Sequence, residues 1–164
     1  LTLLDPLTNT GNRRALDLKL TEMIEVVKRI PQHLVLIAID IDHFKVINDT
    51  YGHAAGDRVL INLVNLISTQ IRKTDSLYRL GGEEFVVLAS GGEVPCAKNL
   101  AEKLRAMVEK SELIDGKTIT ISLGVAEYSK DESADGWLTN ADKALYKAKH
   151  SGRNIVCYAD QIDN

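Results

Sequence analysis

Cysteine is scarce in this chain, with two among 164 residues. Cys96 and Cys157 lie far apart, and neither takes part in a CxxC or Cys/His spacing. That argues against the common zinc and dithiol motifs and suits a reducing cytosol. Long apolar runs are missing too. The longest, residues 34–39, is strand length, whereas a bilayer span needs about 20 residues. Charge of one sign is nearly balanced by the other, 20 Lys and Arg against 23 Asp and Glu, for a net −3. The chain as a whole therefore attracts neither nucleic acid nor an anionic membrane. Any phosphate must be held by local cations or backbone donors. Repeats, linkers and low-complexity tracts are absent. The chain starts at Leu1 with neither an initiator Met nor a signal peptide. It is expected to be a cytoplasmic segment of a longer protein whose sensory or membrane module lies outside it.

What remains is ordinary globular material, 45% hydrophobic and 26% charged, enough for one domain with a real core. Residues 12–30 carry Leu16, Leu20, Met23, Ile24 and Val27 at helical spacing, with Asn12 as N-cap and Pro31 as terminator. Residues 34–39 form an unbroken apolar strand for the middle of a covered sheet. A second helix is marked by Val59, Leu60, Leu63, Val64, Ile67 and Ile71. Residues 76–89 read as strand, Gly-Gly turn, strand. A third helix follows Pro95, and residues 118–125 alternate as a half-buried strand. A last helix carries Leu138, Ala141, Leu145 and Ala148 and stops at Gly152, before a final strand at 155–158. The order predicts one α/β domain in which a hairpin interrupts parallel order.

Two acidic clusters stand out. Asp40 and Asp42 end the most apolar strand, and residues two apart share a strand face. Carboxylates beside an apolar core are costly unless a cation or hydrogen bonds offset their desolvation. A hard cation such as Mg2+ fits, since it needs few protein carboxylates. The plainer alternative is that Asp42 caps the following helix while Asp40 sits at a solvated strand end. The second cluster, Glu83 and Glu84, follows Gly81 and Gly82 at the tip of the hairpin. Acids from two neighbouring strands can hold a pair of divalent ions for nucleotidyl transfer.

Gly81-Gly82-Glu83-Glu84-Phe85 resembles the signature of the GGDEF family of diguanylate cyclases, in its GGEEF form. The resemblance runs in the family's order from Asp5 to Asn154. It takes in Asp5-Pro6-Leu7-Thr8, Asn12-Arg13-Arg14, the stretch from Asp40 to Asp57, Ile121-Ser122-Leu123-Gly124, the segment 141–149 and Gly152-Arg153-Asn154. One departure is Asn9-Thr10-Gly11, where the family usually has a Gly-Leu pair, which puts the local loop in question.

The resemblance implies a mostly antiparallel five-stranded sheet flanked by helices, of the palm-type nucleotidyl cyclase kind, with a GGEEF hairpin. It implies condensation of two GTP into cyclic di-GMP and pyrophosphate, with Mg2+ or Mn2+, two ions per GTP. Asp40, the Ile41 carbonyl, Glu83 and Glu84 would hold metal, and Glu83 and Lys45 would be catalytic. Glu83 as general base competes with Glu83 as ligand, because a metal depresses a carboxylate pKa. Asn48 and Asp57 would read guanine, with His53 in the same stretch. Phe44, Lys45, Lys149 and Arg153 would meet the triphosphate, helped by backbone N–H groups where residues 43–45 lead into a helix. Lys143 and Lys147 are left as surface charges. Arg72 and Asp75 resemble the family's RxxD inhibitory site for product, and Arg105 is left outside that set. The partners implied are GTP, cyclic di-GMP, a second copy of the domain for catalysis and an upstream regulatory domain, with no nucleic acid and no membrane contact. A purely regulatory nucleotide-binding module, or a cyclase of different base choice, are the rival readings.

Overall fold

The computed structural model describes residues 2–159. Helix α1 (Arg13–Arg29) begins as expected, with the Asn12 side chain accepting the Ala15 N–H at 3.0 Å. It ends because Ile30, held extended before Pro31, cannot continue it. Strand β1 (Leu34–Ile41) is buried along its whole length and outlasts the apolar run by two residues, Asp40 and Ile41. Two helices follow where periodicity indicated one. α2 (Phe44–Tyr51) is separated from α3 (His53–Ser68) by Gly52 at φ +90°, and Ile71 falls beyond α3. The hairpin is β2 (Ser76–Gly81) and β3 (Glu84–Ser90), followed by α4 (Val94–Ser111). β4 (Ile121–Glu127) begins three residues later than the alternating pattern suggested and ends two later. α5 (Ala134–His150) is capped by Ser133, and β5 (Val156–Tyr158) closes the described chain.

The sheet order is β2-β3-β1-β4-β5. Every pairing is antiparallel except β4 with β5. The mostly antiparallel, helix-flanked sheet is therefore as expected, with β1 at its centre. Alternation along β1 separates two cores. Val35, Ile37, Ile39 and Ile41 face α3 and α4 through Val59, Leu63, Leu104 and Val108. Leu36 and Ala38 face α1 and α5 through Leu16, Leu20, Trp137 and Leu145. Asp40 continues this second face at the end of the sheet.

One close approach sets where α5 lies. A Cβ on Gly124 would collide with the Leu145 nitrogen and the Ala141 carbonyl oxygen, so the helix backbone rests directly on β4. Trp137 anchors the other end, its indole N–H donating to the Ala126 carbonyl at 2.9 Å. One turn beyond Leu145, α5 delivers Lys149 to the end of β1. Gly124→Ala must push helix and strand apart, and overpacking of this kind costs about 3 kcal/mol. A urea titration should show the unfolding free energy fall by that amount; an unchanged free energy would contradict the packing.

Candidate active site

Asp40 and the hairpin glutamates are neighbours at one edge of the sheet. Asp40 and Glu84 are direct partners in the β1–β3 ladder, and the Ile41 N–H donates to the Glu83 carbonyl at 3.4 Å. Gly82, at φ +53°, turns the chain so that Glu83 and Glu84 start β3 opposite the end of β1. Like charges directly across a ladder repel. The repulsion is met by α5: Lys149 Nζ lies 2.6 Å from Asp40 Oδ2, whose side chain is only 4% exposed. The Asp40 carboxyl is pushed up to about 6, chiefly by burial, with Lys149 opposing the rise and Glu83 and Glu84 adding to it. Among the described residues no group of three or more His, Cys, Asp or Glu side chains is arranged to hold a metal ion. The arrangement is an open edge of oxygen donors, the kind a hard cation shares with phosphate oxygens.

Asp42 shares the face of Asp40 but has a different task. Its oxygens accept from Ser122 Oγ at 2.6 Å, Thr120 Oγ1 at 2.7 Å and the Asn154 N–H at 3.0 Å. The capping alternative does not hold, because the N-cap of α2 is His43, in the left-handed region at φ +56°. Asp42 instead ties the β1–α2 corner to the edge of β4 and to the loop after α5.

That corner leads to the residues implied for nucleotide binding. The Phe44 ring is buried in the core, so only its backbone faces the corner. Lys45 is almost fully exposed and reaches Asp49 at 3.0 Å. A Cβ on Gly56 would strike the Asn48 side-chain oxygen, so this glycine makes the room in which Asn48 lies beside the first turn of α3. His53 and Asp57 stand exposed on that same turn. Arg153 is exposed at φ +62°, with no ion pair among the described residues. Lys149, expected on phosphate, is engaged by Asp40 and so sits between the acids and the basic loop.

Residues without a role in the sequence reading complete this edge. A cleft of about 300 Å³ is lined by Arg13, Glu84, Asp142, Tyr146 and Lys149. Burial raises the Asp142 carboxyl, Glu84 adds to the rise, and Arg13 and Lys149 oppose it. Asp142 lies within the quoted 141–149 segment, but nothing in its spacing marks it as part of the edge.

The hairpin tip is braced from outside. Arg79 donates to the Gly82 carbonyl from Nη2 at 2.8 Å and from Nε at 3.0 Å. Its Nη1 reaches both oxygens of Asp5, at 3.1 and 3.2 Å. Asp5 also accepts from the Thr8 backbone and hydroxyl. Burial alone would raise its carboxyl, but Thr8 and Arg79 hold it below the usual range. The loop departure at residues 9–11 is absorbed locally. Asn9 takes a left-handed φ of +61°, which asparagine tolerates, and the Asp5–Thr10 and Asn9–Asp5 backbone bonds form.

A family model described as the GGDEF domain of diguanylate cyclases matches residues 2–155. The chain belongs to the GGDEF domain family. It is 50% identical over 127 residues to diguanylate cyclase A of Treponema denticola, a match covering 75% of this chain and 34% of that protein. Diguanylate cyclase DgcP of Pseudomonas aeruginosa is 39% identical over 93% of this chain and 23% of its own length. The chain thus spans about a third or less of these two relatives. Among solved structures, the GGDEF domain of DgcB from Caulobacter crescentus, in complex with c-di-GMP, superposes with a TM-score of 0.90 at 33% identity, covering 97% of this chain and 94% of that one. The active GGEEF domain of a diguanylate cyclase from Vibrio cholerae gives 0.87 at 34% identity, over 98% and 100%.

In this GGDEF domain Arg72 and Asp75 lie at the far end of β3, about 20 Å from Glu84 at strand rise. Asp75 closes the turn by accepting the Arg72 N–H at 2.8 Å, while the guanidinium pairs with the same carboxylate and donates to the Ser90 carbonyl at 3.2 Å. A cleft of about 360 Å³ beside them is lined also by Gln70, Glu93, Asn99 and Lys103. Arg105, which could have assisted from α4, is instead engaged by Glu102, Glu109 and Asn154.

Arg79→Met strips the Gly82 carbonyl and Asp5 of their donor, a loss of about 2 kcal/mol. Hydrogen exchange should then speed up at the Glu83 and Glu84 amides. Protection equal to the unsubstituted domain would contradict the brace.

Proposed function

We propose that the domain condenses two GTP into cyclic di-GMP and two pyrophosphate. The observation that carries this reading is the edge where Asp40, Glu83 and Glu84 converge beside Lys149. The donor set fits a divalent cation, Mg2+ or Mn2+, because every candidate ligand is a hard oxygen: Asp40, Glu83, Glu84 and the Ile41 carbonyl. The buried Asp40 already requires a positive neighbour, which Lys149 now provides. When bound, the ions neutralise charge at the α-phosphate and acidify the attacking hydroxyl.

The chain's own residues then position the nucleotide. Asn48 and Asp57 meet the guanine edge; an acidic acceptor there rewards the N1–H and 2-amino donors that adenine lacks. His53 flanks the same turn. Lys45, Lys149 and Arg153 offset triphosphate charge, joined by the Phe44 and Lys45 backbone N–H groups at the start of α2. In each half-reaction a 3′-hydroxyl attacks the α-phosphorus of the other nucleotide. The bond to the β-phosphate oxygen breaks, and pyrophosphate leaves. The hydroxyl proton passes to Glu83 or, through it, to water.

One domain offers groups for one nucleotide, so two copies face each other, and regulation of that pairing belongs to a partner domain. Product binds at Arg72 and Asp75; the solved DgcB domain in complex with c-di-GMP supports a product site in this fold.

A tethered dimer incubated with GTP and Mg2+ should yield cyclic di-GMP, and Glu83→Gln should reduce it by at least about 1,000-fold. Unchanged turnover in that variant would remove Glu83 from the site. The pH response has a definite sign. Asp40 must be ionised to hold a cation, and burial has already moved its carboxyl up to about 6. Protons therefore compete below that value, and each further pH unit should raise the half-saturating Mn2+ concentration about tenfold. A half-saturation constant that stays level from about pH 7.5 to about pH 5 would contradict it.

A further inference from the structure

A polar relay runs from α4 to the phosphate end of the site, and the proposed reaction leaves it without a task. Arg105 is only 18% exposed. Its guanidinium grips Glu102 through Nε and Nη2, at 3.1 and 2.6 Å. Nη1 donates to Glu109 at 3.2 Å and to Asn154 Oδ1 at 2.9 Å. Asn154 Nδ2 donates back to Glu109 at 3.0 Å, closing a ring of three side chains. The Asn154 backbone N–H then donates to Asp42 Oδ2 at 3.0 Å. The relay therefore ends two residues beyond Asp40 on one side and at the neighbour of Arg153 on the other.

The backbone it grips is strained. Arg153 and Asn154 are consecutive residues in the left-handed region, at φ +62° and +49°. Asparagine tolerates this, but arginine there costs about 1 kcal/mol and persists only where its surroundings enforce it. The Arg153 N–H is fixed at 3.1 Å to the Ala148 carbonyl at the end of α5. Asn154 is clamped on both sides by α4 and Asp42. The strain is thus held at Arg153, the residue read above as a phosphate contact, with Lys149 one turn earlier.

We propose that Arg105 and Glu109 are positioning residues that act through Asn154 to hold Arg153 where the triphosphate binds. This rests on reading Arg153 as a phosphate contact. None of the three relay side chains is assigned to the nucleotide; they set the loop that carries Arg153. A loop fixed beforehand spares the ordering cost that GTP would otherwise meet on binding.

The test compares two ligands in the presence of Mg2+, a non-hydrolysable GTP analogue and GMP, by calorimetry on this chain. Asn154→Gly keeps the left-handed backbone and the donor to Asp42 but deletes the side chain. Arg105→Met keeps the apolar stem and deletes the fork. Each should weaken the analogue about fivefold to tenfold and leave GMP within about twofold, because the analogue alone spans the β- and γ-phosphate contacts. Together they should be little worse than either one, since they break the same relay. Arg153→Ala calibrates the premise. If it weakens the analogue while Asn154→Gly and Arg105→Met do not, the relay is overturned and the phosphate contact stands. If Arg153→Ala changes nothing, the premise fails and the proposal with it. Equal loss of analogue and GMP would also overturn it, as the mark of general loosening. Should Arg105→Met melt below the assay temperature, Asn154→Gly carries the test alone.

Discussion

The arrangement of this domain depends on a carboxylate that has to be buried. Asp40 ends the central strand, with core on one side and Glu84 directly across the ladder. Left alone, that charge would destabilise the sheet edge, since burial and two glutamates all oppose ionisation. Lys149 answers it at 2.6 Å, and Lys149 is within reach only because α5 rests on a strand with no Cβ at Gly124. A glycine in β4 thereby determines the electrostatics at the end of β1. On the proposed reaction a cation held at Asp40 would free Lys149 for phosphate, so the pair seen here is the arrangement of the site without substrate.

Asp42 shows how little a residue type says without its partners. It stands two places from Asp40 on the same face, yet three donors consume its oxygens. One acid offers its charge outward and the other locks the β1–α2 corner. The corner in turn places His43 in a left-handed turn at the start of α2. Rigidity concentrates around the acidic edge: Arg79 braces the hairpin tip, Asp42 the corner and Arg105 the loop after α5. A site that works by positioning and charge neutralisation gains most from such restraint.

Much of this was legible before any coordinates. The apolar run of β1, the Gly-Gly turn and the helical stripes announce themselves through local chemistry, and the acids of both clusters stand where those elements end. What stayed hidden is long-range. The donors to Asp42 lie 78 to 112 residues away, so the choice between cap, ligand and lock had no sequence signature. Helix α2 buries only Phe44 and Ile47, too few for a stripe, and Gly52 alone parts it from α3. The alternation at residues 118–125 runs through Ile119, buried before the ladder begins, which displaced the strand. Lys149 was expected on phosphate, but its pairing with Asp40 joins the last helix to the first strand, beyond the reach of spacing.

The most direct measurement is anomalous diffraction from crystals of this domain grown with Mn2+ and a non-hydrolysable GTP analogue. The account predicts manganese density between Asp40, the Ile41 carbonyl and the glutamates of the hairpin, with Lys149 Nζ drawn away from Asp40 onto phosphate. Nucleotide bound elsewhere, or bound here with no manganese at that edge and the Asp40–Lys149 pair intact, would contradict it.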